Sequence, residues 1–347
     1  MTQPDTKPDT RQRIQAAMRA AFPQAEDRVA RFYAMQEYHL GWRDPQLAPT
    51  DSDPGKLIRP QLVLLACRAA GGDPAQALPL AAGIQLLHDF TLIHDDIEDD
   101  SDTRRGRPTL WHLWGLAQGI NAGDGMFVIA HLAIHGLVDA GVPAERVLRV
   151  LRRFDEVILH VCEGQFLDIS FEGDLSISPE DYLAMIGRKT AALIDGSAAL
   201  GAMAAGADDA TVAALGTFGR SLGLAFQIED DILGIWGDPE LTGKPRAADL
   251  YRRKLSLPVV HALRHAADAA DLAAIYAQPA PDDAAVSRAL AILDAAGSRQ
   301  YCTAMAAEHH HAALAALDAL GTGGSPEAAA ARAQIRAVAE SLLGRQS

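Results

Sequence analysis

The sequence predicts an all-α protein, because helical signals run through most of its 347 residues and strand signals are scarce. Alanine and leucine are abundant, and apolar residues recur at spacings of three and four, as they do on one face of an α-helix. There is no sustained alternation of polar and apolar residues, and no Asn-Gly or Asp-Gly turn joins two β-branched runs. With 49% apolar and 22% charged residues, the composition is typical of a globular protein.

Prolines, glycines and polar runs mark the ends of the predicted helices. Three prolines in residues 43–55 predict a loop, and GGDP at residues 71–74 ends the helix before it. Ser178, followed by a proline and two acids, has the pattern of a helix N-terminus. The predicted helices span residues 60–70, 75–99, 109–136, 144–171, 179–205 and 210–236, with polar loops at 101–108 and 237–253, and an alanine-rich helical remainder broken near 279–283 and 321–326.

No linker and no repeat of fixed period divides the chain, so we expect a single domain over residues 13–347. Residues 1–12 are polar and lack the apolar core of a signal peptide, and we expect them to be disordered. No run approaches the roughly 20 apolar residues of a membrane-spanning helix. Cys67, Cys162 and Cys302 are too widely separated for a metal or disulfide pattern, which favours the reducing cytoplasm.

The overall charge also limits the function. The chain has 45 acidic and 31 basic side chains, which gives a formal net charge of −14. A polyanion such as nucleic acid is therefore not expected as its main ligand.

An acidic motif, DDIED at residues 95–99, is the first functional signal. Asp95 and Asp99 lie one helical turn apart on one face, and Asp96 lies beside them. Like charges at this spacing need either a bound cation or full exposure to solvent. Magnesium suits carboxylate oxygens and usually shares its coordination shell with substrate phosphates. The acids follow an apolar run and precede RRGRP at residues 104–108. Because arginine binds phosphate with paired hydrogen bonds, we favour a site for metal and phosphate over a solvated helix end.

A second motif, QIEDD at residues 227–231, repeats this arrangement. Gln227, Asp230 and Asp231 share one helical face at the end of another apolar run. Two carboxylate clusters on separate helices can hold several divalent ions around one diphosphate.

Together with five further motifs in the same order, these two resemble the motifs of the trans-prenyltransferases, the polyprenyl (isoprenyl) diphosphate synthases. The resemblance covers residues 55–258 and implies a single-domain helical bundle of the isoprenoid synthase type with a central apolar pocket, commonly a homodimer. The motifs that carry it are GKLIRP at 55–60, DDIED at 95–99, RRG at 104–106, GQFLD at 164–168, KT at 189–190, FQIEDD at 226–231, and GK at 243–244 with RK at 253–254.

The resemblance implies a role for each matching residue. Isopentenyl diphosphate would be held by Lys56, Arg59, His88 and Arg105. The allylic diphosphate would be held by Arg104, Lys189, Thr190, Gln227 and Lys244, with Lys254 nearby. Magnesium, at three ions per site, would be bound by Asp95, Asp96, Asp99, Asp230 and Asp231. The simpler interpretations are a core histidine for His88, solvated loop charges for Lys56 and Arg59, and an anchor at a helix N-terminus for Lys254.

The implied reaction is a head-to-tail condensation. The allylic carbon–oxygen bond ionises, and bound magnesium and lysine neutralise the charge on the departing pyrophosphate. The double bond of isopentenyl diphosphate attacks the allylic cation, and the proton is lost to pyrophosphate, so no side-chain nucleophile is needed. Two alternatives stay open: a class I terpene cyclase, which needs no isopentenyl diphosphate site, and a non-catalytic prenyltransferase subunit, which does not depend on the acids.

Two positions bear on the metal shell and on the product. Gly234 stands where the family's second motif usually has a third aspartate, and Asp238, one turn further on, is only a conceivable substitute. Phe90 and Thr91 lie five and four residues before Asp95, and by resemblance this pattern suits a twenty-carbon product, geranylgeranyl diphosphate.

Overall fold

The computed structural model describes residues 8–50, 52, 55–238, 246–321 and 323–343, and within these residues it is predominantly helical with almost no sheet, as predicted. A π-helical turn, Gly187–Ala191, lies between α8 and α9. The strands are β1 (Thr103–Arg104) and β2 (Arg107–Pro108). The helices are α1 (Pro8–Ala21), α2 (Ala30–His39), α3 (Ile58–Ala69), α4 (Leu78–Glu98), α5 (Leu110–Trp114), α6 (Leu116–Asp139), α7 (Ala144–Phe171), α8 (Pro179–Ile186), α9 (Ala192–Ala205), α10 (Asp209–Trp236), α11 (Ala248–Tyr251), α12 (Leu257–His265), α13 (Ala269–Tyr276), α14 (Asp283–Ala295), α15 (Ser298–Asp318) and α16 (Pro326–Leu343).

Spatial proximity groups the chain into two compact units. The single domain over residues 13–347 stays a prediction. None of the helices in the described ranges is both long and apolar enough to cross a membrane. The first unit comprises Met1–Phe154, Ser197–Val212 and Gly324–Ile335, and the second comprises Asp155–Gly196, Ala213–Gly323 and Arg336–Ser347.

In the first unit, α4 is buried along most of its length and packs closely on α6. Gly83 makes this approach possible, because a Cβ there would lie 2.7 Å from Ile134 Cγ1 and 2.9 Å from the Ala130 carbonyl oxygen. The buried helix ends in the first acidic motif, as its preceding apolar run predicts.

In the second unit, one apolar cluster joins α8, α10, α12 and α15. It contains Tyr182, Ile228, Leu257 and Cys302, all of them buried. The N-terminus of α8 is a capping box: Ser178 accepts a hydrogen bond from the backbone of Asp181, whose carboxylate accepts one from the Ser178 N–H. The N-cap predicted at Ser178 is therefore confirmed.

Local backbone geometry explains where the structure departs from the predicted helices. Gly115, at φ +86°, separates α5 from α6 within the helix predicted over residues 109–136. The polar loop predicted at 237–253 contains the short helix α11. Disorder was predicted for residues 1–12. Residues 1–7 lie outside the described residues, whereas residues 8–12 belong to α1. Pro8 is the first residue of this helix, a position where the missing N–H of proline costs nothing.

Candidate active site

The first acidic motif lies at the C-terminal end of α4. Asp96 is 1% exposed, and its Oδ1 accepts a hydrogen bond of 2.6 Å from Arg104 Nε. Its Oδ2 is buried and has no hydrogen-bond partner among the residues that the structure describes. Burial raises the pKa of this carboxyl, and the Arg104 guanidinium opposes the rise. Asp95 is half-buried and Asp99 is exposed at the helix end, so Asp96 is the acid that the fold fixes most firmly.

A small β-hairpin, in a segment predicted to be a loop, positions the basic run. Arg105 (φ +51°) and Gly106 (φ +73°) form the two-residue turn between β1 and β2, and positive φ at both positions is the geometry of a tight hairpin turn. Arg107 anchors the hairpin through hydrogen bonds of 2.9 Å to the carbonyl oxygens of Tyr38 and Arg43. Arg104 is thereby held against the buried acid on α4.

The hairpin borders a cavity of about 350 Å³ within the first unit. Asp96, Arg104 and Arg105 line it together with Gly55. The Arg105 guanidinium carbon lies 3.8 Å from the ideal Cβ position of Gly55. One residue of the first basic motif, one of the acids and both paired arginines therefore line one opening.

Arg59 and His88 meet next to this region. Arg59 Nη1 lies 3.2 Å from His88 Nε2. Burial, reinforced by the Arg59 charge, lowers the pKa of His88 well below its ordinary value, so the neutral imidazole accepts the hydrogen bond. Lys56 is exposed in the loop before α3.

Three polar residues with largely buried side chains, His39, Gln85 and Asp89, were missed by the sequence reasoning. Asp89 is 4% exposed, and its Oδ2 accepts a 2.9 Å hydrogen bond from Gln85 Nε2. Its Oδ1 lies 3.8 Å from His39 Nε2. Burial raises the pKa of Asp89 to about 6, and burial lowers that of His39 to about 3. An acid inside the apolar run of α4, four residues after Gln85, was the available signal.

The second motif is organised around Asp231, which is fully buried on α10. Gln227 Nε2 (3.2 Å) and Lys254 Nζ (3.4 Å) donate to its Oδ1. The Tyr182 hydroxyl (2.5 Å) and the backbone N–H of Leu257 (3.3 Å) donate to its Oδ2. Burial raises the pKa of the Asp231 carboxyl, and the Lys254 charge and the three hydrogen bonds oppose the rise. Four protein donors therefore already hold this carboxylate.

Two sequence motifs of the second unit, far apart in the chain, lie together in space. Lys189, in the π-helical turn, donates a 2.5 Å hydrogen bond to Asp168 on α7. Gly164 permits this contact, because a Cβ there would lie 2.1 Å from the Lys189 backbone nitrogen. Thr190 donates a 3.0 Å hydrogen bond to the side chain of Gln227, which links the turn to the second acidic motif.

Asp230, Lys244 and Lys254 complete the set of residues predicted around the second motif. Asp230 is half-buried on α10, and Lys244 lies outside the described residues. Burial lowers the pKa of Lys254, but the charges of Asp231 and neighbouring carboxylates outweigh burial. The net pKa is raised, so the ammonium stays charged. Across the described ranges, no three His, Cys, Asp or Glu side chains are gathered in a ready-made metal cage.

Phe90 begins a row of aromatic rings in the first unit. Its ring centroid lies 5.2 Å from that of Phe127, which lies 4.7 Å from His131, and His131 lies 5.1 Å from Phe154. Thr91 turns its hydroxyl back onto the His88 carbonyl oxygen at 2.8 Å.

Comparison with known proteins identifies a family. The polyprenyl synthetase family model matches residues 47–293. The chain is 46% identical over 285 residues to a geranylgeranyl diphosphate synthase of Mycobacterium tuberculosis, covering 82% of this chain and 80% of that one. It is 39% identical over 318 residues to a (2E,6E)-farnesyl diphosphate synthase of Mycobacterium bovis, covering 89% and 85%.

Solved structures agree. A polyprenyl synthetase from Streptomyces coelicolor superposes with a TM-score of 0.86 at 35% identity, over 96% of this chain and 98% of that one. A geranylgeranyl pyrophosphate synthase from Corynebacterium glutamicum, complexed with isoprenyl diphosphate and magnesium, superposes with a TM-score of 0.81 at 28% identity, over 99% and 100%. The protein therefore belongs to the polyprenyl synthetase family and is a trans-prenyl diphosphate synthase, a prenyltransferase.

Proposed function

We propose that the protein condenses isopentenyl diphosphate with an allylic diphosphate to give geranylgeranyl diphosphate. The cavity bordered by Asp96, Arg104 and Arg105 carries this proposal, because it offers cations to a phosphate beside a buried, incompletely bonded carboxylate. The 46% identical relative named a geranylgeranyl diphosphate synthase supports the product.

The isopentenyl diphosphate site consists of Lys56, Arg59, His88 and Arg105. Burial lowers the pKa of Arg59 to about 10, and Asp89 opposes this, so the guanidinium stays charged at neutral pH. Neutral His88 accepts from Arg59 through Nε2, which holds the guanidinium in place for a phosphate.

The allylic diphosphate binds to a second set of donors. Lys189 and Thr190 act from the π-helical turn, and their contacts with Asp168 and Gln227 hold both in place before substrate arrives. The full set is Arg104, Lys189, Thr190, Gln227 and Lys244, with Lys254 nearby.

The acids fit magnesium. The Asp96 Oδ2 is a buried carboxylate oxygen in need of a partner, and such atoms are rarely left without one. When bound, magnesium neutralises charge on the pyrophosphate as the allylic bond ionises. Asp231 already accepts from four donors, which suits positioning of its neighbours better than direct coordination. We assign the three ions to Asp95, Asp96, Asp99 and Asp230, whereas coordination by Asp231 rests only on the sequence prediction.

Product length follows from the aromatic row. Phe90 lies five residues before Asp95, about 7.5 Å along α4, and Phe127 supports its ring from α6. We infer that a growing chain stops at Phe90.

A second copy of the chain covers an exposed apolar ridge on α6. Leu116, Ile120, Val128 and Leu132 are each about half exposed and lie at multiples of four residues. The exposed Asp124 divides this row into two apolar pairs, and ridges of such spacing pack against a like helix. Leu132→Glu should give monomers in size-exclusion chromatography with light scattering, whereas the equally exposed Val29→Glu should not. A monomeric wild-type protein contradicts the homodimer.

With buried thiols at Cys67 and Cys302, we place this protein in the reducing cytoplasm.

A product assay tests the whole proposal. The protein is incubated with labelled isopentenyl diphosphate and a five-, ten- or fifteen-carbon allylic primer, with magnesium or with a chelator. We expect a twenty-carbon product only with magnesium, longer products from Phe90→Ala, and no change in length from Phe32→Ala, a ring outside the row. Consumption of the primer alone indicates a cyclase, and activity of the assembly that survives Asp95→Ala indicates a non-catalytic subunit.

A further inference from the structure

The N-terminal helix α1 reaches the turn that carries the first basic motif. Arg11 donates a hydrogen bond through Nη2 to the carbonyl oxygen of Gly55, which lies 44 residues further along the chain. Arg11 belongs to the segment that was predicted to be disordered, and none of the predicted site residues precedes Lys56. The hydrogen bond therefore joins a part of the chain without an assigned role to the proposed isopentenyl diphosphate site.

Buried packing fixes the place of Arg11. Ile14 and Met18 lie three and seven residues after it on the same face of α1, and both are almost completely buried. The helix packs on α4 and α6 within the first unit. Met18 also lines a small cavity together with Arg105. The buried face of α1 therefore meets the same arginine whose guanidinium lies beside Gly55.

The turn at residues 55–57 has a backbone that needs support. Gly55 (φ +81°) and Leu57 (φ +48°) are both left-handed, and a non-glycine residue keeps this conformation only where its surroundings compel it. Two side chains donate to carbonyl oxygens of the turn: Arg11 to Gly55, and Gln61 Nε2 to Lys56 at 2.6 Å. Because Lys56 lies between the two left-handed residues, the direction of its side chain depends on the turn.

The same turn borders the opening proposed to take a diphosphate. Gly55 lines the cavity of about 350 Å³ together with Arg105, and Arg11 is not among the described residues that line it. Arg11 therefore acts on the cavity through the backbone of the turn and not by reaching a phosphate itself. A turn that relaxed would change the distance between the cations on the two sides of the opening.

We propose that Arg11 is a positioning residue for isopentenyl diphosphate, which makes α1 part of the active site. Together with Gln61, it holds the turn at residues 55–57 so that the cations on both sides of the opening face one diphosphate. This inference rests on the proposed function, which assigns Lys56 and Arg105 to that substrate. Other residues bind the allylic diphosphate, so loss of the Arg11 hydrogen bond should weaken binding of one substrate and spare the other.

Substitutions in the full-length protein test this role. Arg11→Met removes the donor and keeps the apolar stem, whereas Arg11→Lys keeps a cationic donor. Arg13→Met is the matched control, because it removes the same charge from the opposite face of the same helix. The first readout is the Kd of isopentenyl diphosphate, measured by calorimetry without an allylic substrate. The others are KM for each substrate, kcat and the melting temperature.

We expect Arg11→Met to raise the Kd and the KM of isopentenyl diphosphate about tenfold, the effect of losing one hydrogen bond from a charged donor. The KM of the allylic diphosphate and the melting temperature should change much less. Arg11→Lys should recover most of the loss, and Arg13→Met should match the wild type. If Arg11→Met does not fold, Arg11→Gln shortens the side chain, removes the charge and should raise the same two quantities.

Three results overturn the inference alone. One is an unchanged Kd and KM for isopentenyl diphosphate in Arg11→Met or Arg11→Gln, while Arg105→Met loses binding of this substrate. Another is an equal rise of KM for both substrates as the melting temperature falls, which is the pattern of a purely structural contact. The third is an equal effect of Arg13→Met, which would show a general effect of charge. A wild-type protein that does not bind isopentenyl diphosphate instead refutes the proposed function, and this inference with it.

Discussion

Replacing Tyr182 with phenylalanine removes one hydroxyl group from the second unit and leaves the ring in place. That hydroxyl donates a 2.5 Å hydrogen bond to Asp231, and both side chains are almost completely buried. Hydrogen bonds to charged groups contribute about 1.5–3 kcal/mol, and a buried acceptor that loses its donor cannot turn to water. Because Asp231 keeps three other donors, we expect a loss of about 2 kcal/mol in the free energy of unfolding.

Urea denaturation followed by circular dichroism measures this loss, and the chain contains a matched control. The Tyr251 hydroxyl donates a 2.8 Å hydrogen bond to Asp283, but Tyr251 is 42% exposed. Water replaces that bond, so Tyr251→Phe should change stability by no more than about 0.5 kcal/mol. Equal losses in the two variants would refute the reasoning that burial of the carboxylate sets the value of the hydrogen bond.

Three further outcomes are expected. Burial raises the pKa of Asp89 from 3.8 to about 6, so the folded state binds this proton more tightly than the unfolded chain. The wild type should therefore lose about 2 kcal/mol of stability relative to Asp89→Asn as pH rises from 4 to 6, and parallel stability profiles of the two proteins in urea would contradict this. Gly164→Ala forces a Cβ onto the Lys189 backbone and should cost about 3 kcal/mol, so a wild-type melting curve would exclude the close approach. Arg104→Gln leaves the buried Asp96 without its cation and should lower the free energy of unfolding by about 3 kcal/mol. Magnesium chloride should restore part of this loss in calorimetry, and a loss that magnesium does not reduce would argue against a metal at Asp96.

Local pattern was enough to predict several of the helices and both acidic motifs. The helices α3, α4, α7 and α10 fall within three residues of their predicted limits, since apolar periodicity and proline or glycine boundaries act over a few residues. That the first acids end a buried helix also followed from the apolar run before them.

Contacts between distant segments could not be predicted in this way. The packing of Gly164 on Lys189 and of Asp249 on Gly234 depends on which backbones approach each other in space. The polar cluster around Asp89 was missed because a single acid in an apolar helix has the same sequence pattern whether or not arginines surround it. The hairpin was missed because strands of two residues carry no periodicity.

In the π-helical turn, the number of residues determines the direction in which the side chains point. Each hydrogen-bonded ring of a π-helix encloses one residue more than a ring of an α-helix. Deleting one residue from Gly187–Ala191 would therefore allow α8 and α9 to continue as one regular helix with both packed faces in register. The same deletion would swing Lys189 away from Asp168. The extra residue thus contributes little to holding the helices together, and its value lies in the direction in which it points one ammonium group.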